Sequence, residues 1–170
     1  VVRDSMDYST GLCDRHGQVV AHGMTMALHL GSFPDAMAAL TRDYGGRMKP
    51  GDIYITNDPW LGTGHLNDFT VVTPTFHKDR IVALFACTTH VVDVGGRGFG
   101  ADGRQVYEEG INIPIMPLAR DGTFDPAVMA IVRANVRNPV EVEGDLYSLA
   151  ACNDVGCRRL VDMMREFDLD

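Results

Sequence analysis

A chain of 170 residues has room for one domain with a real core, because a domain of about 150 residues buries roughly 70% of the surface its unfolded chain exposes. The 45% apolar and 22% charged fractions exclude a disordered or fibrous protein. A formal charge of −8, with 15 Lys and Arg scattered along the chain, excludes a nucleic-acid footprint, and apolar runs such as Ile81 to Cys87 fall far short of the ~20 residues that span a membrane.

The opening Val1-Val2-Arg3-Asp4-Ser5 lacks a methionine and leads into strand-like sequence, which predicts a piece of a longer chain. Tyr8 to Asp14 and Gln18 to Ala21 flank Arg15-His16-Gly17, a hairpin pattern in which glycine supplies the positive φ of the turn. Ser32 then precedes Phe33, Met37, Leu40 and Tyr44 at helical spacing, with Asp35 placed as in a capping box and Gly45-Gly46 as the stop. Asp52 to Thr56 predicts a short strand ended by Asn57-Asp58-Pro59. Phe69 to Phe76 and Arg80 to Thr89, rich in β-branched and aromatic residues, predict a second hairpin closed by His77-Lys78-Asp79.

Glycines at 95, 96, 98, 100, 103 and 110 predict a loop, long enough to line a substrate pocket, in place of a helix or strand. An extended stretch, Ile111 to Pro117, follows and ends at Asp121-Gly122. Two helices complete the chain. One begins at Asp125-Pro126 and runs to about Arg137; the other begins at Asn138-Pro139 with Glu141 and carries Leu146, Leu149, Leu160, Met164 and Phe167 as its apolar stripe. These elements predict an α+β fold of antiparallel hairpins or a mixed sheet, with C-terminal helices, as a single domain over residues 1–170.

The chemistry concentrates in two His-x-x-Asp pairs, His65-Leu66-Asn67-Asp68 and His90-Val91-Val92-Asp93, set among glycines. Two imidazoles and one carboxylate suit Zn, Mn or Fe(II) and leave coordination positions open for water or substrate. His65 and Asp68 lie just before the first strand of the second hairpin and His90 just after its second strand, and antiparallel pairing brings those ends together. Asp93 has three readings: a ligand, an acceptor fixing the His90 tautomer, or the cap of the Gly95-Gly96 turn. Glu108-Glu109 offers carboxylates at the end of the Gly-rich loop, either for proton transfer or as a solvated acidic pair. Asp93 and Glu109 are the catalytic candidates beside the metal candidates His65, Asp68 and His90.

The remaining features read plainly. His29, between Leu28 and Leu30, predicts a buried histidine bonded to backbone, and His16, His22 and His77 fall in or beside turns. The glycines lack the Gly-Lys-Ser/Thr ending of a phosphate loop, so no nucleotide site is expected within the chain. No Gly-x-Ser-x-Gly elbow occurs, and Cys157, beside Arg158-Arg159 in a helix, predicts an inert thiol. Cys13, Cys87, Cys152 and Cys157 show no Cys-x-x-Cys spacing and no secretion signal precedes them, which predicts free thiols in the cytoplasm.

Taken together, Asp7-Tyr8-Ser9, His29-Leu30-Gly31-Ser32, Gly51 through Pro59, Gly64-His65-Leu66-Asn67-Asp68, His90 through Gly96, Tyr107-Glu108-Glu109-Gly110 and Gly144-Asp145-Leu146 resemble the hydantoinase B/oxoprolinase family over nearly the whole chain. Members are much longer, so the resemblance implies a fragment or divided subunit of the family's N-terminal metal-bearing region. It implies an ATP-dependent cyclic amide hydrolase of the hydantoin or 5-oxoproline type, with the related acetone and acetophenone carboxylase large subunits as the alternative and a non-catalytic assembly domain as the third. Carried over residue by residue, the carboxylase ligands fall on His65, Asp68 and His90. The resemblance further implies that ATP and Mg are used on a hydantoinase A-type partner subunit or domain in a hetero-oligomer, with a small-molecule substrate and neither nucleic acid nor membrane as a partner. His29 through Ser32 and Asn135 through Pro139 look more like the hydantoinase branch. One departure stands out: the common hydantoinase pattern has a second histidine directly after the residue matching His90, where this chain has Val91, which implies a lost donor near the metal.

Overall fold

Strands form where β-branched and aromatic residues run together, and the pairing of those strands places the ends that matter. The computed structural model describes residues 6–23, 29–62, 64–98 and 100–169, so the expected strand-like opening at residues 1–5, Leu28 and Thr63 lie outside the described residues. Strands β1 (Tyr8–Asp14), β2 (Val19–His22), β3 (Ile53–Thr56), β4 (Asp68–His77), β5 (Arg80–His90), β6 (Met116–Arg120) and β7 (Thr123–Phe124) make one seven-stranded sheet in the order β2-β1-β5-β4-β3-β6-β7. Every pairing is antiparallel, which gives the expected α+β fold of antiparallel hairpins.

The long hairpin β4–β5 turns through Lys78 and Asp79 alone, with φ of +48° and +61°. Both central residues in the left-handed region define the tight turn whose twist matches its flanking strands. His77 therefore belongs to β4 and pairs with Arg80, one residue beyond the expected turn boundary. On β1, Gly11 stands where a Cβ would collide with the Phe33 ring, so glycine there lets the first helix close onto the sheet.

Both faces of the sheet are covered, which explains why β4 is buried almost end to end and shows no polar alternation. Helix α1 (Phe33–Tyr44) lays Phe33, Ala36, Met37 and Leu40 against Cys13, Tyr54, Val72, Leu84 and Ala86. On the opposite face α3 (Pro126–Asn135) and α4 (Pro139–Glu166) pack Val128, Val132, Val142, Leu146 and Leu149 against Ile55, Phe69, Val71 and Cys87. Each fully buried large side chain, Phe33 and Phe69 among them, contributes about 1.5–3 kcal/mol of transfer free energy.

Helix ends depart from expectation in instructive ways. A 3-10 turn, Leu30–Ser32, runs directly into α1, so Ser32 is itself helical and makes no cap; its hydroxyl donates to the His29 carbonyl at 2.8 Å instead. Asp125 does cap α3, accepting from Ala127 N and Val128 N ahead of Pro126. That helix stops at Asn135, two residues short of Arg137, because Val136 is extended. In α4 most buried residues lie between Val142 and Asn153, Met164 is buried as expected, Leu160 is half-buried and Phe167, just past the helix end, is 65% exposed, so the expected apolar stripe is partly used. The Gly-rich loop contains one helical turn, α2 (Val106–Glu109), formed where the glycines pause.

Candidate metal centre

Register alone brings the first two donors together. Asp68 opens β4, His90 closes β5, and the two are direct cross-strand partners. Alternation along β4 then points Asp68 to the α1 face, the side also taken by Thr70 and Val72, while Phe69 and Val71 fill the opposite core. His65 arrives three residues earlier on the loop after β3. That loop is held from below by Asn57, which is 2% exposed: its amide donates to Leu66 O at 2.7 Å and Ile111 O at 2.9 Å, and its carbonyl accepts from Ile113 N at 2.6 Å. Leu66 is anchored in the α3–α4 core, and Val91 N donates to Asn67 O at 2.7 Å, tying the end of β5 to the same loop.

His65 Nε2 stands 3.3 Å from Asp68 Oδ2, and His90 Nδ1 stands 3.1 Å from Asp68 Oδ1. One donor atom from each of His65, Asp68 and His90 lies within 4.8 Å of the others, and the two rings meet edge to face at 5.1 Å. A tetrahedral ion with bonds of about 2.0–2.1 Å holds its ligands roughly 3.3 Å apart, so these spacings fit a single cation. His65 Nδ1, the other nitrogen of that ring, is buried and has no hydrogen-bond partner among the described residues, so no hydrogen bond fixes the orientation of the ring from that side. The Asp68 side chain is 1% exposed, whereas His65 is 43% and His90 20% exposed, so the cluster is closed at its carboxylate and open at its imidazoles. The hydrogen bond from His90 to Asp68 raises the imidazole pKa above its usual value against the opposing effect of burial.

A third histidine joins from an unexpected direction. His29 is buried, as expected, and among the described residues its ring meets side chains in place of backbone: Nδ1 lies 3.0 Å from Ser9 Oγ, and Nε2 lies 3.4 Å from Asp68 Oδ2 and 4.0 Å from Asp7 Oδ1. Sequence gave no signal for this, because only the packing of β1 and the 3-10 turn brings the four residues together. Asn57 was legible as a strand terminator but not as the staple of the His65 loop.

The other expected site residues are placed differently. Asp93 accepts from Gly95 N at 3.1 Å and from the Arg137 guanidinium at 2.6 Å, with the Arg137 backbone N–H also donating to it, so its carboxylate secures a turn and the start of α4. Glycine at 95, with φ of +83°, is required there because a Cβ would strike the Asn135 carbonyl. Glu109 is exposed on α2, outside the set of mutually close donors, while Glu108 accepts from Arg104 N at 3.2 Å. Val91 is fully buried in the α3–α4 core, so a side chain at 91 points away from the donors, and the expected loss of a donor at that position does not arise. Cys157 lies mid-helix beside the Thr75 hydroxyl at 3.0 Å, and burial pushes its thiol pKa up. The four cysteines are free, and among the described residues no helix is long and apolar enough to cross a membrane.

A sheet covered by helices on both faces, with two histidines and an aspartate converging at the open end of a central hairpin, defines the class, and the family model for hydantoinase B/oxoprolinase matches residues 1–170: the chain belongs to this family. Caprolactamase subunit beta from Pseudomonas jessenii is 30% identical over 96% of this chain and 29% of its own length. The 5-oxoprolinase of Saccharomyces cerevisiae is 30% identical over 99% of the chain and 14% of its own length. The crystal structure of ATP-dependent caprolactamase from Pseudomonas jessenii superposes with a TM-score of 0.89 at 29% identity, over 95% of this chain and 28% of that one. A nucleotide-free acetone carboxylase shares the fold, with a TM-score of 0.90 at 18% identity, over 98% of this chain and 22% of that one. The chain thus spans less than a third of the length of these relatives.

Proposed function

We propose that this chain is the cation-binding portion of an ATP-dependent cyclic amide hydrolase that opens a lactam or hydantoin-type ring, with ATP and Mg handled by a hydantoinase A-type subunit or domain. The observation that carries the proposal is the cross-strand pair Asp68–His90 with His65 three residues upstream, three donors set at cation-ligand spacing and open to solvent on the imidazole side. A divalent cation, Zn, Mn or Fe(II), supplies Lewis acidity toward an amide or phosphorylated oxygen and lowers the pKa of water. His65 and His90 present ring nitrogens on the accessible side, Asp68 supplies the negative charge from the buried side, and Asn57 keeps the His65 loop in register with β5. Asp93 acts through Arg137 by holding the root of the Gly-rich loop, and Glu109, on the exposed turn of that loop, is the side chain proposed to carry a proton to or from the ring.

Hydrolysis is favoured over carboxylation because two relatives at 30% identity are named for lactams, caprolactam and 5-oxoproline, whereas the likeness to acetone carboxylase is one of fold. The test uses the full-length protein with its partner subunit, ATP, and a panel of hydantoin, 5-oxoproline, caprolactam, and a ketone with labelled bicarbonate. Ring-opened product that depends on ATP and disappears in His65→Ala supports the proposal. Label fixed into a ketone product replaces it with a carboxylase, and absence of stoichiometric metal leaves an assembly domain.

A further inference from the structure

We propose that His29 is a positioning residue for the cation site, resting on the site proposed above: its Nε2, carrying the proton, faces the buried edge of Asp68 at 3.4 Å and holds that carboxylate electrostatically between His65 and His90 without becoming a ligand. The geometry around the ring is one-sided. Nε2 faces two carboxylates, Asp68 Oδ2 at 3.4 Å and Asp7 Oδ1 at 4.0 Å, while Nδ1 faces the hydroxyl of Ser9 at 3.0 Å. A lone pair on Nε2 would oppose two anionic oxygens, so the charges around the ring assign the proton to Nε2 and leave Nδ1 to accept from Ser9. A protonated Nε2 has no lone pair to offer a cation.

Position and rigidity agree. His29 is 1% exposed and Ser9 fully buried, so no water competes for either ring nitrogen. The carbonyl of His29 is held in turn by the Ser32 hydroxyl at 2.8 Å, at the point where the chain enters α1. His29 also falls outside the set of donors that lie mutually close, which contains only His65, Asp68 and His90 among the described residues. Asp68 is thereby faced from the protein interior by the His29 ring and approached from the solvent side by the other two imidazoles. Partners of this kind commonly change metal affinity by about 10–100-fold when removed, because a ligand left to rotate binds its ion less well.

The experiment measures Co(II) and Zn(II) binding to the full-length protein by competition with a chromophoric chelator, together with the Co(II) visible absorption spectrum and thermal unfolding of the chelator-treated protein. His29→Leu is expected to weaken Co(II) binding about 10–100-fold while the Co(II) spectrum keeps its wild-type form. His29→Gln, which retains an N–H donor, is expected to recover most of that loss, and Ser9→Ala to lose a few-fold. Wild-type affinity in a His29→Leu protein with wild-type unfolding temperature overturns the proposal. An altered Co(II) spectrum in that variant overturns it too, by making His29 a ligand. If His29→Leu does not fold, Ser9→Ala decides: a few-fold loss supports the proposal and unchanged affinity overturns it. Absence of Co(II) and Zn(II) binding in the wild type defeats the cation site itself, and this proposal with it, whereas wild-type binding lost in His65→Ala keeps the two questions separate.

Discussion

Asp52 and Asp68 are buried carboxylates at opposite ends of the β3–β4 ladder, and they are neutralised by different means. Asp52 receives the Arg120 guanidinium at 2.5 Å, the Tyr54 hydroxyl at 3.0 Å and Lys49 N at 2.9 Å. Burial, with Asp52 beside it, pushes the Tyr54 phenol up to about 12, so that hydroxyl remains a donor throughout the physiological range. Arginine is permanently charged, and this cluster is therefore complete in itself. Asp68 instead faces imidazoles at 3.1, 3.3 and 3.4 Å. An imidazole can carry a proton or give its lone pair to a metal, so the positive charge opposite Asp68 is exchangeable. A closed arginine cluster braces the fold; an open histidine cluster at the same depth can do chemistry.

Four perturbations test that contrast. The largest effect is expected from Asp68→Ala, which removes the one carboxylate of the donor set and should lower divalent cation affinity by more than about 100-fold, beyond what an outer-shell residue costs. Elemental analysis after dialysis and chelator competition read it out, and retention of stoichiometric metal would defeat the contrast. Arg120→Leu strands a buried carboxylate, at a cost of about 3 kcal/mol, the low end for a broken buried pair because the guanidinium is half exposed. Denaturant unfolding should show that loss with cation affinity unchanged; a parallel fall in affinity would mean that the two ends are coupled.

Asn57→Ala is expected to cost about 1–3 kcal/mol by leaving Ile113 N without its acceptor, and to weaken cation binding through the loosened His65 loop. Calorimetric titration on folded variant separates the two effects. The smallest effect concerns Asp93. Burial opposes its ionisation, yet hydrogen bonds from Arg137 and Gly95 outweigh it and hold the carboxyl pKa below the usual range. A depressed folded-state pKa contributes stability that is present above the unfolded value and lost as pH falls through the folded one. Asp93→Asn should therefore flatten the acid limb of the unfolding profile below about pH 4, with cation affinity at neutral pH within twofold of wild type.

Much of the donor set was readable in the sequence. A hairpin with a near-two-residue turn fixes which residues lie opposite, and strand alternation fixes which face they share, so His65, Asp68 and His90 could be expected at one end of β4–β5 from spacing alone. The α1 and α3 boundaries followed from proline, glycine and aspartate at recognisable positions, although the 3-10 entry of Leu30–Ser32 displaced the expected cap. Val91 shows the limit of motif comparison: its neighbour His90 faces the donors, and alternation turns residue 91 into the opposite core.

Local pattern, then, was enough to bring the three candidate donors together, because the forces that set strand period and turn geometry act over a few residues. What surrounds the triad was decided by tertiary packing. Ser9 and His29 are 20 residues apart and Asp52 and Arg120 are 68 apart, and no periodicity relates either pair. Their meeting depends on where β1 docks beside β5, how α1 closes over the sheet, and which strand follows β3 at its edge. Those choices are fixed by burying two apolar faces at once, a condition that belongs to the whole chain and to no segment of it.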